Sequence, residues 1–181
     1  MRRRVVTSTT LVAVLVAAGL YWFQPWKLFT STTITEAVPV VGAATPYPAT
    51  ADPSPASGST PFTIPVLVAQ GDLVAHEHAT SGRVQLVRLP DGRHQLILRD
   101  LSTSDGPDLR VWLTDQPVVA GSAGWHVFDD GRHLEVGRLK GNRGTQLYDV
   151  PVGTDVIAFR SVTIWCQRFA VSFGAAELMA P

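Results

Sequence analysis

Among the 181 residues of this chain a single cysteine, Cys166, is available for thiol chemistry. It lies in "SVTIWCQRFAVSFG", from Ser161 to Gly174. The thiolate is the reactive form of cysteine, and near neutral pH it forms beside a cation, a helix N-terminus or a metal. Arg168, two residues on, would share a strand face with the thiol if the strand ran straight, and could supply that cation. Trp165 is the other immediate neighbour. Against this stands a small buried hydrophobe packed with Val162 and Ile164, inert because nothing reaches it. Both remain open from the residues alone.

A second candidate set is His76 and His78 in "AHEHATSG". On a strand the two rings fall on one face with Glu77 opposite. That spacing can chelate a metal, and imidazole suits copper, iron and zinc. Two ligands do not complete a site, and a third would have to come from Cys166, His94, His126 or His133. The plainer alternative is a polar strand end entering a turn. Covalent haem attachment requires two cysteines and a following histidine, which one cysteine cannot supply. Noncovalent haem held by His or Cys, or a bound metal, is allowed without support from a motif, so the cofactor is unknown at this level. "LKGNRG" lacks the strand-before, helix-after setting of a phosphate-binding loop and reads as a turn whose glycines take positive φ. Asp108, after Gly106 and Pro107, is expected to bond backbone amides in its turn. Ser, His and Asp occur without a nucleophile elbow, which leaves a hydrolase without positive support and the question of enzymatic activity open.

The elements that must position these groups are short apolar runs of period two, broken by Gly, Asp and Pro, as half-buried strands are. Val66 to Ala75 opens the series. Arg83 to Leu89 and His94 to Leu101 flank "PDGR" as a hairpin. Leu109, Val111 and Leu113 alternate with polar or aromatic neighbours. Trp125 to Phe128 is expected to pair with His133 to Leu139 across Asp129, Asp130 and Gly131, and Gln146 to Val150 and Val156 to Arg160 read as further strands. Roughly eight or nine strands in about 115 residues predict an all-β fold, an antiparallel sandwich or barrel. Parity places Val162, Ile164 and Cys166 on one face and Thr163 and Trp165 on the other. Beyond Arg168 the apolar set is Phe169, Val171 and Phe173, of opposite parity. That switch predicts a bulge near Gln167 or a strand crossing between sheets.

Ahead of this domain, Arg2, Arg3 and Arg4 precede an uncharged stretch from Val5 to Phe23. At 1.5 Å per residue it spans roughly the 30 Å of a bilayer's hydrocarbon core. The arginines mark the cytoplasmic side, and Tyr21, Trp22 and Trp26 gather where an interfacial aromatic belt belongs. A cleaved signal peptide would need small residues just after the apolar run, where Phe23 to Phe29 is bulky. The expectation is a single-pass signal anchor in residues 1–30, with the remainder outside the cell. Residues 31–65 are rich in Pro, Ala, Thr and Ser, and such composition cannot offset its ordering entropy by burial. They are expected to form an extended tether, leaving residues 66–181 as one domain. Setting aside Arg2, Arg3, Arg4 and Lys27 leaves 11 of the 15 basic residues, and setting aside Glu36 and Asp52 leaves 13 of the 15 acidic ones. A domain of that balance has no electrostatic footprint for nucleic acid. The expected partners are membrane lipid through the N-terminal helix and an extracytoplasmic redox or binding partner.

Three ordered stretches carry a resemblance: "GPDLRVWL" (Gly106 to Leu113), "LKGNRGTQLYDVP" (Leu139 to Pro151) and "SVTIWCQRFAVSFGAAEL" (Ser161 to Leu178). Together they resemble the DM-thirteen domain family, known in bacterial membrane-anchored proteins and beside DOMON domains in Skeletor-like animal proteins. The resemblance runs from about Gln70 to Leu178. It implies a β-sandwich-like module for extracellular electron transfer, with Cys166 at the place of a cysteine suggested as a redox thiol or cofactor ligand, and with Trp165 and Arg168 around it. Leu147 stands where the family usually has Asn, so no polar binding role passes to the "GNRG" loop through that position. Two function classes follow: a membrane-anchored redox module acting through Cys166, or a noncatalytic cell-surface module whose Trp112, Trp125 and polar neighbours contact cell wall or protein.

Overall fold

The computed structural model describes residues 2–40 and 64–181, with side chains described from Thr10 onward except that of Leu28. The chain opens with helix α1 (Arg2–Phe23). It ends where Gln24 takes φ 43° and Pro25 follows. A left-handed residue closes the last turn, and proline's missing N–H cannot extend it. The apolar side chains of Leu11, Val12, Val14, Leu15, Val16 and Leu20 are exposed along the helix. Among the described residues no helix is long and apolar enough to cross a membrane; the first part of the Val5 to Phe23 span lies outside the described side chains.

The remainder is a sandwich of two five-stranded sheets. The first orders β1 (Thr33–Thr35), β8 (Arg143–Val150), β5 (His94–Ser102), β4 (Ser81–Arg88) and β2 (Val66–Asp72). The second orders β3 (Val74–Ala75), β10 (Val171–Glu177), β9 (Ser161–Cys166), β6 (Leu109–Thr114) and β7 (His133–Arg138). Every pairing is antiparallel except β1 with β8. The expected β4–β5 hairpin forms, with Arg88 opposite His94. The run from Val66 to Ala75 changes sheet at Leu73, and Gly71 permits this because a Cβ there would collide with the Glu177 carbonyl of β10.

The core lies between the sheets, where Leu86, Leu96 and Leu98 meet Val111, Leu113, Val162, Ile164 and Phe173. The opposite face of the second sheet carries a smaller cluster of Trp112, Phe128, Trp165 and Ala175. Parity along β9 is as read: Val162, Ile164 and Cys166 belong to the first cluster and Trp165 to the second.

Several expected elements differ. Trp125 to Phe128 makes no strand; 3₁₀ turns at Ser122–Gly124 and Val127–Asp129 carry Phe128 over the outer face of the second sheet, and β7 pairs with β6 instead. Val156–Ala158 is likewise a 3₁₀ turn. The parity switch after Cys166 is a chain reversal: β9 and β10 are separate strands joined by Gln167–Ala170, with Ala170 at φ 49°, and the register shift falls between Ser172 and Gly174. Thr33–Thr35, within the stretch expected to be a tether, adds a parallel strand to β8. Its β-branched residues suit a sheet edge, and the "GNRG" glycines leave room for it. A Cβ at Gly144, φ 93°, would strike the Ile34 carbonyl, and one at Gly141 would sit 2.6 Å from the Thr32 oxygen. Glu36 fastens this strand, accepting from Lys140 Nζ at 2.8 Å and the Leu147 amide at 2.6 Å. Residues 41–63, the rest of the expected tether, lie outside the described residues.

Candidate functional site

Cys166 is the last residue of β9, opposite Leu109 of β6 and Val171 of β10. It is fully buried, in the packing expected of a small buried hydrophobe beside Val162 and Ile164. The turn after it is closed by backbone bonds: the Gln167 amide donates to the Asp108 carbonyl at 2.9 Å and the Phe169 amide to the Cys166 carbonyl at 3.3 Å. Burial pushes the thiol above its ordinary value. The backbone N–H groups of Phe169, Arg168 and Asp108 oppose this by favouring the thiolate, and the Asp108 carboxylate adds to the upward push. Burial outweighs these opposing influences, so the net direction is upward.

Neither expected neighbour flanks the sulfur. Trp165 faces away, stacked on Trp112 at 5.1 Å and edge-on to Phe128 at 6.4 Å. Arg168 turns to α1, where Nη1 donates to the Trp22 and Tyr21 carbonyls at 2.7 and 3.3 Å. A guanidinium on the last free carbonyls of a helix is favourable through both hydrogen bonding and the helix dipole. Phe169 stacks on Phe23 at 5.8 Å, and His126 Nδ1–H donates to the Ala170 carbonyl at 2.7 Å. The four-residue turn that follows Cys166 is thus pinned from outside by α1 and His126.

Beside this turn opens a cleft of about 530 Å³. Phe23, Gln24, Pro25 and Lys27 form one side, and Val171 and Phe173 of β10, Phe169, Trp125 and the Asp105 to Pro107 turn are among the residues that line it elsewhere. His78 packs against Phe173 at 3.9 Å between ring centres and pairs with Glu77 at 2.6 Å. Lys27 and Asp105 pair at 3.1 Å. Trp125 lines the cleft, and its Nε1 is buried without a hydrogen-bond partner. Cys166 does not line it but is the β9 partner of Val171 across the β9–β10 ladder.

A comparison with known families matches residues 72–178 to the family described as electron transfer DM13. This chain belongs to the DM13 family. No curated protein matches it, and no solved structure does. The DM13 match covers more than half the chain and takes in Cys166 and every cleft residue except those from Phe23 to Lys27.

His76 and His78 of the DM13 domain do not share a face. They leave the end of β3 in a bend and pass to either side of β10. His76 is buried against Phe128 and bonds Ser172 Oγ at 2.8 Å through Nδ1, while His78 enters the cleft. Burial pushes His76 below its usual value, with the Val119 carbonyl pulling weakly the other way; no hydrogen bond of good geometry reaches its Nε2. Among the described residues no group of three His, Cys, Asp or Glu side chains converges as a metal site, so His76 and His78 are not brought together with a third ligand. Trp112, considered as an exposed contact residue, is buried. Asp108 binds Arg110 at 2.8 Å and Arg138 at 3.3 Å; the turn amide of Gly106 is held by Asp105 instead. The cleft itself had no signal in the sequence, because its walls come from five separated segments.

Proposed function

We propose that this DM13 domain carries electrons at the outer face of a membrane, with α1 as a signal anchor whose N-terminus is inside, and that Cys166 is the thiol through which it acts. The observation that carries this is the setting of the sulfur. It lies at the very end of β9, on the face that meets the core between the sheets, and the Gln167–Ala170 turn follows it directly. In this reading the turn Gln167–Ala170 and the end of β9 open together to expose the sulfur, and once solvated the thiol regains an ordinary acidity. Its thiolate then attacks a disulfide of an external partner. One partner sulfur leaves as thiolate and a mixed disulfide forms; a second external thiolate displaces Cys166 and restores it. An electron pair passes from thiol to disulfide, and Cys166 is unchanged at the end.

Incubating the detergent-solubilised chain with glutathione disulfide tests this. One glutathionyl group should add at Cys166, leave with dithiothreitol, and be absent from Cys166→Ser, while the far-ultraviolet circular dichroism stays that of the folded protein. A folded chain that acquires no adduct would overturn the thiol role.

The cleft supports a second reading, a binding module without redox chemistry. Trp125 Nε1 is a buried donor lacking an acceptor, as at sites completed by a ligand. If glutathione adds nothing and Trp125→Phe loses binding of cell-wall fragments, this second reading takes precedence.

A further inference from the structure

We infer that the DM13 sandwich rests directly on the outer face of a phospholipid bilayer, with the β9–β10 turn, Trp26 and Phe29 in the headgroup zone. This rests on the proposed anchoring by α1 and adds where the domain lies. The sequence suggested that residues 31–65 hold the domain away from the membrane. The topology gives that stretch another place: β1 precedes residues 41–63 and β2 follows them, and both strands belong to the same sheet. A spacer whose two ends are fixed in one domain cannot set that domain's distance from the helix, whatever its length.

What does set the distance is the segment from Phe23 to Thr33, and it is pinned at each step. Arg168 caps the last turn of α1. Phe169 stacks on Phe23. Lys27 and Thr30 both bind Asp105, the hydroxyl at 2.6 Å. Asn142 Oδ1 accepts from the Thr32 amide at 2.7 Å, where β1 begins. With the end of α1 at the membrane surface, the tip of the β9–β10 hairpin is one side chain away from it.

The surface at this junction has the composition of a bilayer interface. Trp22, Trp26, Phe29 and Phe169 are 55, 49, 90 and 39 % exposed, an aromatic group at the end of an exposed apolar helix. Aromatic rings concentrate at headgroup depth, and an exposed apolar surface of this kind on a water-soluble domain otherwise marks an association site. The occupant is lipid because the patch is continuous with the apolar face of α1.

The test uses the full chain in phosphatidylcholine–phosphatidylglycerol vesicles, with a fluorophore on Gln167→Cys at the turn or on Val152→Cys at the far end of the sandwich. Cys166 is buried and stays in place, and the unsubstituted chain taken through the same labelling is the blank. Nitroxide lipids labelled at the headgroup should quench the fluorophore at position 167 several-fold more than that at 152, and Arg168→Ala should reduce the difference while the protein still floats with the vesicles. Flotation with equal quenching at both positions would overturn the docking alone. Failure to float would remove the anchoring and the docking together.

Discussion

At the scale of single residues, burial decides the chemistry. Cys166 is held protonated by its surroundings, and a protonated thiol is neither nucleophile nor ligand. Its reactivity is therefore set by how often the chain uncovers it. His76 shows the same control with a clearer readout. Its folded value is lowered, first by burial, so the unfolded chain binds a proton at higher pH than the folded one does. Stability is then full above the ordinary histidine value, near 6.5, and falls as pH drops below it. The urea midpoint should be lower at about pH 5.5 than at about pH 7.5, and His76→Phe should shrink that difference. His94 is lowered too, by burial and then by Arg88, and accounts for a remainder. An unchanged pH dependence in His76→Phe would show that His76 does not stay neutral in the fold.

At the scale of elements, the turn Gln167–Ala170 is the part with consequences. Arg168 was read from the sequence as a charge for the thiol; the structure spends that charge on the carbonyls of Tyr21 and Trp22. Sequence spacing assumes a continuing strand, and the chain reverses one residue after Cys166. Arg168→Ala should cost about 1 kcal/mol, the scale of a charge-assisted hydrogen bond at a helix end. It should also raise the rate of native-state thiol labelling several-fold, since it frees one of the pins on the turn. Equal labelling rates would mean that α1 does not hold the turn. Other elements were plainly written. The period-two runs located β4, β5, β6 and β9 and the faces of Trp165 and Ile164, because in a half-buried strand pattern and burial have one cause. Trp125 to Phe128 misled because Val127 and Phe128 serve a 3₁₀ lid over the outer face of the second sheet while Trp125 packs on the core between the sheets, and local pattern does not say which face a hydrophobe covers. The strand Thr33–Thr35 was hidden by proline-rich surroundings, although the glycines that receive it, Gly141 and Gly144, were visible as a motif without a partner.

At the scale of the whole molecule, strand count and turn spacing pointed to an antiparallel sandwich or barrel, of which the structure is the sandwich, and three ordered motifs pointed to DM13, matched at residues 72–178. What could not be read was the assembly of distant parts. The cleft joins the end of α1 to β10 and the Trp125 loop, and β1 closes an edge of a sheet whose other strands begin after residue 63. These contacts make the setting of the turn beside Cys166 a product of the whole fold, while the opening proposed for it is a local event. The denaturant dependence of Cys166 labelling measures that distinction directly. With a thiol reagent in excess, local opening of the turn and the strand end exposes little surface, so the labelling free energy should be nearly flat at low urea and join the global unfolding line only near the transition. Labelling that follows the global line from zero urea upward, with its full slope, would show that Cys166 is uncovered only by unfolding and would contradict its role as the thiol of electron transfer.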